Sequence, residues 1–400
     1  MKTMNVITED SLADIELQLN WKSNEAEHSE VLFTKMNVWR DILPPGMTGE
    51  LMGKGPGDRV GIRYAKDENL LPSGREDVYV LKRGQFDDSR ATPRYGRFYP
   101  MSLLTGVPHV FPGNVRPFRL TDMNDDTIQA DAGHPLAGYD LALTAKVHDA
   151  MVKPYDRGGE CSMLIECVAD GPGMQVPKNG RPTDFFEPDA FAREDETDDS
   201  RFYENPRLVN HLDDRAIETI SGFYGGLLQP GMDVLDLMSA WRSHVPEGAG
   251  LKSMIGLGMN AEEMAENPQL NGFRVHDLNI HPKLPFDDRS FDRVICTASV
   301  EYLIHPDAVF ADVARVLRAG GIFALTFSNR WFPPKTIRLW PKLHEFERMG
   351  LVLAYFNRSG KFTDLHTLSS RGWPRPETDK YYGQQFKSDP VYAVWGKTIA

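Results

Sequence analysis

Residues 284–329 read LPFDDRSFDRVICTASVEYLIHPDAVFADVARVLRAGGIFALTFSN. An apolar run, FDRVICTA, is followed by a helical pattern over 306–318 and then by a second apolar run, GIFALTFS. The helix carries a basic end, Arg315 and Arg318, and stops at Gly320-Gly321, a turn that delivers the chain into the second strand. Strand, crossover helix and strand in that order predict a parallel sheet covered on both faces. The alternation continues on either side. MDVLDLM, SMIGLGM and GFRVHDL precede it as strands, LVLAYF and PVYAVWGK follow as strands, and further helices are expected at 214–228, 261–266 and 335–349. Residues 213–400 therefore read as a doubly wound α/β sheet, whose ligands bind beyond the carboxyl ends of the strands.

The rest of the chain is of another kind. Before about residue 165 it is rich in Gly, Pro and short apolar alternations such as DRVGIRYA, DTIQADA and YDLALTAKV, which predict short antiparallel strands. Residues 166–212 form a Pro-rich and acidic stretch. Its second part, DFFEPDAFAREDETDDSRFYE, sets nine acidic residues against Arg193 and Arg201, and reads as an inter-domain connector. Its phenylalanines, Phe185, Phe186, Phe191 and Phe202, are too many for a solvated tether and are expected to anchor it; an acidic recognition tail is the alternative.

Composition limits the function. The 400 residues carry 45 Lys+Arg against 57 Asp+Glu, a net charge of −12, which disfavours nucleic acid as principal partner. Three cysteines, Cys161, Cys167 and Cys296, offer neither a disulfide framework nor C-x-x-C metal spacing, so no metal site is expected. Glu9, Asp10 and Asp14 interrupt the N-terminus where a secretory signal needs an apolar core, and no run reaches the ~18 apolar residues of a membrane span. A cytoplasmic location without membrane association is the expectation.

Residues 213–400 resemble class I S-adenosylmethionine-dependent methyltransferases. The resemblance rests on Leu284-Pro285-Phe286, Ser290-Phe291-Asp292 and Arg315-Val316-Leu317-Arg318-Ala319-Gly320-Gly321, which follow that family's fourth strand, next helix and fifth strand in order and spacing. It implies a Rossmann-like fold, S-adenosyl-L-methionine as cofactor, and a small-molecule or protein methyl acceptor. Asp277 in VHDLN is placed to accept a hydrogen bond from the adenine amine, with the Leu278 amide facing the ring; alternatively Asp277 caps the next turn.

Two anchors of that family are altered. Its glycine loop, Asp-x-Gly-x-Gly-x-Gly, here reads Asp236-Leu237-Met238-Ser239-Ala240-Trp241-Arg242, followed by Ser243 and His244. Met238, Ala240 and Arg242 keep the backbone near a cofactor only at negative φ or along another path. Gly258 stands where a ribose-binding acid is usual, leaving Asn260 as a single amide donor. Either the loop still binds the cofactor, with the Ser239 and Ser243 hydroxyls replacing glycine amides, or the domain has lost methyl transfer and serves binding. Base candidates are His244, Glu301 and Tyr302, with Ser299 near the cofactor's methionine end; the alternatives are a capping histidine and, for Glu301, a helix start. Trp241 and Arg242, with Asn329, Arg330 and Trp331 in the run through Lys335, suit an anionic or aromatic acceptor. Inward packing is the alternative for these aromatics.

Residues 1–165 resemble, more weakly, SlyD-type FKBP prolyl isomerases, an α+β fold. The match lies in His134-Pro135-Leu136-Ala137-Gly138-Tyr139-Asp140-Leu141, in Leu43-Pro44-Pro45-Gly46, and in Gly49-Glu50-Leu51-Met52-Gly53 through Val60. Residues 66–126 would be the inserted flap, with Tyr95, Phe98, Tyr99, Phe111 and Phe118 as an apolar face for docking on the methyltransferase domain; gripping a substrate is the alternative. The first strand is followed by Asn24-Glu25-Ala26-Glu27-His28-Ser29 instead of the family's aromatic-acidic segment, and Leu143 replaces a Phe. The resemblance implies an isomerase or chaperone role as a competing function.

Overall fold

An eleven-residue helix and a 14-residue helix, each apolar along one face, pin down the α/β part of the chain. In α4 (Asp214–Leu227) Ala216, Ile220 and Tyr224 recur at i, i+4 and i+8 and are buried against Val234, Ile295 and Ala324 of the sheet. In α6 (Pro306–Val316) Val309, Phe310, Val313 and Val316 are buried, with Phe310 edge-on to Phe323 at 5.0 Å. Asp213 caps α4 by accepting the Ala216 N–H at 2.9 Å, and Pro306 opens α6 where its missing N–H costs nothing.

The structure, a computed structural model, describes residues 6–68, 70, 71, 74, 77–152 and 161–399, in two units. Unit 1 holds the chain up to Glu25, Thr34–Pro188 and Pro341–Leu351; unit 2 holds Ala26–Phe33, Asp189–Trp340 and the chain from Val352. Among the described residues no helix is long and apolar enough to cross a membrane.

Unit 1 is β-rich. Strands β1 (Ser11–Lys22) and β3 (Arg59–Tyr64) flank β8 (Leu141–Val152), both antiparallel to it, and β1 buries alternate residues including Ile15, Leu17 and Leu19. Helix α1 (Met47–Leu51) follows Gly46, whose φ of 82° suits glycine. A second sheet, in the order β4 (Val78–Lys82), β7 (Thr127–Asp131), β6 (Pro117–Met123) and β5 (Phe98–Pro100), occupies most of the expected insert. Of its aromatics, Tyr95, Phe98, Tyr99 and Phe118 are buried, and Phe86, Tyr99 and Phe118 pack ring to ring. Phe111 alone of the five is exposed. Parts of the ranges 1–165 and 66–126, namely 1–5, 69, 72, 73, 75, 76 and 153–160, lie outside the described residues.

In unit 2 the strands are β9 (Asp233–Leu237), β10 (Ser253–Gly258), β11 (Gly272–Val275), β12 (Phe291–Thr297), β13 (Leu317–Phe327), β14 (Phe362–Arg371) and β15 (Val391–Thr398). Their order is β11-β10-β9-β12-β13-β15-β14. The first five are mutually parallel, and β15 runs antiparallel to both β13 and β14. Residues 26–32, from strand β2 (Ala26–Asn37), pair parallel to β14 at the far edge. The order turns back on itself between β9 and β12, and at such a switch point a crevice opens beyond the strand ends.

Three expectations change. LVLAYF is not a strand but part of helix α7 (Glu345–Ser359); Leu351, Val352, Tyr355 and Phe356 are fully buried, and a short apolar run has no period to separate buried helix from buried strand. Helix α6 stops at Val316, and β13 starts at once, with Gly320 at φ 71° inside it. The stretch 166–212 is divided between the units instead of bridging them: Phe185 is buried in unit 1, whereas Phe191 and Phe202 pack on Tyr355 and Phe332 in unit 2. Its acids are structural. Asp195 and Asp199 hold the ammonium of Lys335, which has no exposed surface, at 3.1 Å each, and Thr197 O accepts from it at 2.7 Å. Lys335 is therefore no part of an open cationic pocket. Lys335→Met, which removes one of three partners of Asp199 and leaves Arg193 and Asn279 in place, is expected to lower unfolding free energy by roughly 1–3 kcal/mol, measured by urea denaturation.

Candidate functional site

The crevice at the switch point is a cavity wholly within unit 2. Its floor is made by the ends of β9, β10 and β12 and by the turn after β11; its outer wall is the chain from Asp199 to Leu212, with Phe332. Of the residues singled out from sequence, Asp236, Met238, Ser239, Ala240, Trp241, Arg242, His244, Asn260, Asp277, Leu278, Ser299 and Tyr302 line it. Glu301, Asn329, Arg330 and Trp331 do not. Glu301 is fully buried, so its carboxylate faces protein and not the cavity. Arg330 is drawn to Asp389 at 2.8 Å and lies over Tyr381, and Asn329 is exposed.

The loop after β9 is organised by one carboxylate. Asp236 Oδ2 accepts hydrogen bonds from Ser239 Oγ at 2.5 Å and Ser243 Oγ at 2.7 Å, and Asn267 Nδ2 donates to Ser243 Oγ at 2.9 Å. The two serines thus point inward to the acid, correcting their reading as stand-ins for glycine amides. Burial pushes Asp236 up to about 6, against the two hydroxyl donors, which act the other way. Met238 takes a φ of 58°, His244 56° and, after β12, Ala298 47°. Three of the seven non-glycine residues with positive φ among the described residues thus surround this cavity, each at a cost of about 1–2 kcal/mol. Met238 occupies a glycine position and keeps the glycine conformation, contrary to the expected negative φ.

The loop explains Gly258. A Cβ there would lie 2.2 Å from Ser239 O, and one on Gly256 would lie 3.2 Å from Ser239 Oγ and 2.6 Å from Leu270 Cδ1. Strand β10 is therefore stripped of side chains where the serine-bearing loop crosses it, and a ribose-binding acid at 258 has no room. Asn260 does not replace it: its Oδ1 caps α5 (Ala261–Ala265) by accepting the Glu263 N–H, and its Nδ2 donates to Tyr203 O at 2.8 Å and Glu204 O at 3.1 Å.

Asp277 has a divided role. Oδ1 accepts the N–H groups of Asn279 at 2.8 Å and Ile280 at 3.2 Å, while Oδ2 and the Leu278 N–H make no hydrogen bond among the described residues. Asn279 joins three parts of the site, donating to Asp199 Oδ2 and Tyr302 O and accepting the Ile304 N–H. Ser299 Oγ donates to Thr297 O at 2.9 Å. Tyr302 OH accepts the Phe332 N–H at 2.8 Å, and burial and nearby Glu301 push its pKa well above the usual value. Burial, and secondarily Arg242, hold His244 down at about 4, so its imidazole is neutral at pH 7.

Sequence reasoning did not single out the outer wall. Tyr203, Arg207 and His211 sit in a stretch whose acid content masked them, and Arg207 lies over Phe202 at 4.5 Å and Phe332 at 5.2 Å. The four aromatics within an acidic run were the available signal.

Residues 252–325, from just past the altered loop through β13, match the methyltransferase-domain family. The ubiquinone/menaquinone biosynthesis C-methyltransferase UbiE of Laribacter hongkongensis is 27% identical over 139 residues, covering 31% of this chain. The chain spans about half, 54%, of the length of that curated relative. Among solved structures, an S-adenosylmethionine-dependent methyltransferase from Aquifex aeolicus aligns at 16% identity over 50% of this chain and 97% of its own, with a TM-score of 0.32. One from Mesorhizobium loti aligns at 14% over 46% and 99%, with a TM-score of 0.30. The likeness to methyltransferase domains thus falls on residues 252–325, within unit 2.

The buried acid sets a pH dependence. A carboxyl raised from 3.8 to about 6 on folding stabilises the fold fully below pH ~4, and that contribution is lost as pH rises through about 6. Asp236→Asn, which never ionises, is expected to gain roughly 3 kcal/mol relative to the unsubstituted protein between pH 4 and pH 8, measured by urea unfolding at both values.

Proposed function

We propose that unit 2 transfers a methyl group from S-adenosyl-L-methionine to a small-molecule or protein acceptor in this cavity. The observation that carries the reading is the unengaged pair at the end of β11, Asp277 Oδ2 and the Leu278 N–H, one acceptor and one donor on adjacent residues facing a cavity at the switch point. That pair matches an adenine edge, which offers an amine donor beside a ring-nitrogen acceptor. At the other end, the N–H groups of Ala240, Trp241 and Arg242 make no hydrogen bond among the described residues and suit a carboxylate. The donor set therefore fits this cofactor despite the missing glycines. When bound, the cofactor supplies a methyl group on a positively charged sulfur.

The protein's share of the chemistry is alignment and exclusion of water. Ser239 and Ser243 fix the loop through Asp236, and Ser299 and Tyr302 shape the wall after β12. His244 lines the cavity and is held neutral by burial, so it can accept a hydrogen bond from the acceptor, while a pKa of about 4 leaves it a weak base. Tyr302, with its hydroxyl bound to Phe332, contributes its ring. For unit 1, the FKBP-like reading is a proposal about fold alone: the matching run His134–Leu141 leads into β8, and Leu143, which stands where the resemblance has a Phe, is buried.

Calorimetric titration of the full chain with S-adenosyl-L-methionine tests the reading. Micromolar binding is expected, and Asp277→Asn, which keeps the turn-capping oxygen while replacing the second acceptor by a donor, should weaken it by about tenfold or more. Absence of heat and of thermal stabilisation at millimolar cofactor would refute the reading and leave a methyltransferase fold used for binding something else.

A further inference from the structure

The outer wall of the cavity carries positive charge without counter-charge. Arg207 and Arg242 both line it, and neither forms an ion pair among the described residues. Each is instead laid on aromatic rings. Arg207 covers Phe202 and Phe332 and donates through Nη2 to Phe202 O at 2.9 Å; Arg242 lies 4.2 Å from the centroid of Trp241 and donates to Trp241 O at 3.1 Å. A guanidinium held over a ring keeps N–H donors along its edge, in the planar fork that suits a carboxylate. The two are linked, because Trp241 Nε1 donates to Val209 O, two residues beyond Arg207.

Of the four acids that line the cavity, Asp277 keeps an oxygen free among the described residues, assigned above to the adenine edge, and the other three are engaged. Asp236 is held by two serines, Asp199 by Arg193, Lys335 and Asn279, and Glu263 Oε1 by the Arg207 N–H. His211, on the same wall, registers the resulting field: burial first, then Arg207, Lys380 and Arg330, depress its pKa. Lys380 also forms no ion pair among the described residues and lies over Tyr381.

Resting on the methyltransferase reading above, we propose that the acceptor is a small aromatic carboxylate, its carboxylate held by Arg207 and Arg242 and its ring lying against Phe332 and Trp241. The cofactor's own carboxylate has separate takers in the loop N–H groups, so the arginine pair is left for the second ligand. This site gives an overall acidic protein a local preference for an anion. It also selects shape, since stacked guanidinium and indole planes accept a flat ring.

The test uses the full chain and intrinsic tryptophan fluorescence, with benzoate as probe, benzamide as its neutral counterpart and inorganic phosphate as a non-planar anion. Titrations are run with and without S-adenosylhomocysteine. Benzoate should bind at least about tenfold more tightly than benzamide or phosphate. Arg207→Gln and the more exposed Arg242→Gln should each weaken benzoate about tenfold while S-adenosylhomocysteine affinity stays within twofold. Equal binding of benzoate and benzamide, or of benzoate and phosphate, would overturn the proposal. So would a loss of S-adenosylhomocysteine affinity in both variants with 5′-methylthioadenosine, which lacks the carboxylate, unaffected; that result assigns the arginines to the cofactor. If S-adenosylhomocysteine fails to bind at all while benzoate retains its preference, the methyl-transfer reading falls and the aromatic-anion site stands.

Discussion

A single buried carboxylate, Asp236, sets the geometry of the cofactor end of this protein. Ionising an acid with no exposed path to water costs free energy unless donors surround it, and here two serine hydroxyls from the following loop supply them. The loop is consequently folded over its own strand end, with side chains where related domains use glycines. That fold has a second requirement. The neighbouring strand must be bare where the loop crosses, and Gly256 and Gly258 make it so. The side chains of the loop and the bareness of its neighbour are thus one steric arrangement.

The strand ends tell the same story from the backbone. Met238, His244 and Ala298 are held at positive φ around one cavity, conformations that persist only where surrounding contacts over-determine them. A domain that had drifted from function has no reason to concentrate such strain beside a crevice.

What the sequence disclosed follows the strength of its physical signals. Five parallel strands and the helices α4 and α6 were legible because apolar runs and 3.6-residue periodicity were both present. LVLAYF was misread because a helix buried on all sides has no polar face to reveal its period. Strand β14 went unread for the opposite reason: its inward positions include Thr367 and Ser369, which meet His28 and Glu30 across the strand pair and carry no hydrophobic signature. At the site, loop residues adjacent in sequence were legible, and the directions of their side chains were not. Asp236 and its serines were named, but which faced which depends on φ at Met238. Arg207 and His211 lie far in sequence from β9 and reach the cavity only by tertiary folding.

Residues 26–32 add a strand to the sheet of unit 2 although about 160 residues separate them from the rest of that unit. Unit 2 is therefore not a cassette that gene fusion or proteolysis can separate at residue 189. A fragment starting there would present β14 as a raw edge, its N–H and C=O groups open and its polar inner face without His28 and Glu30. Such an edge invites pairing with another chain. The segment thus ties unit 2 to chain that lies far ahead of residue 189.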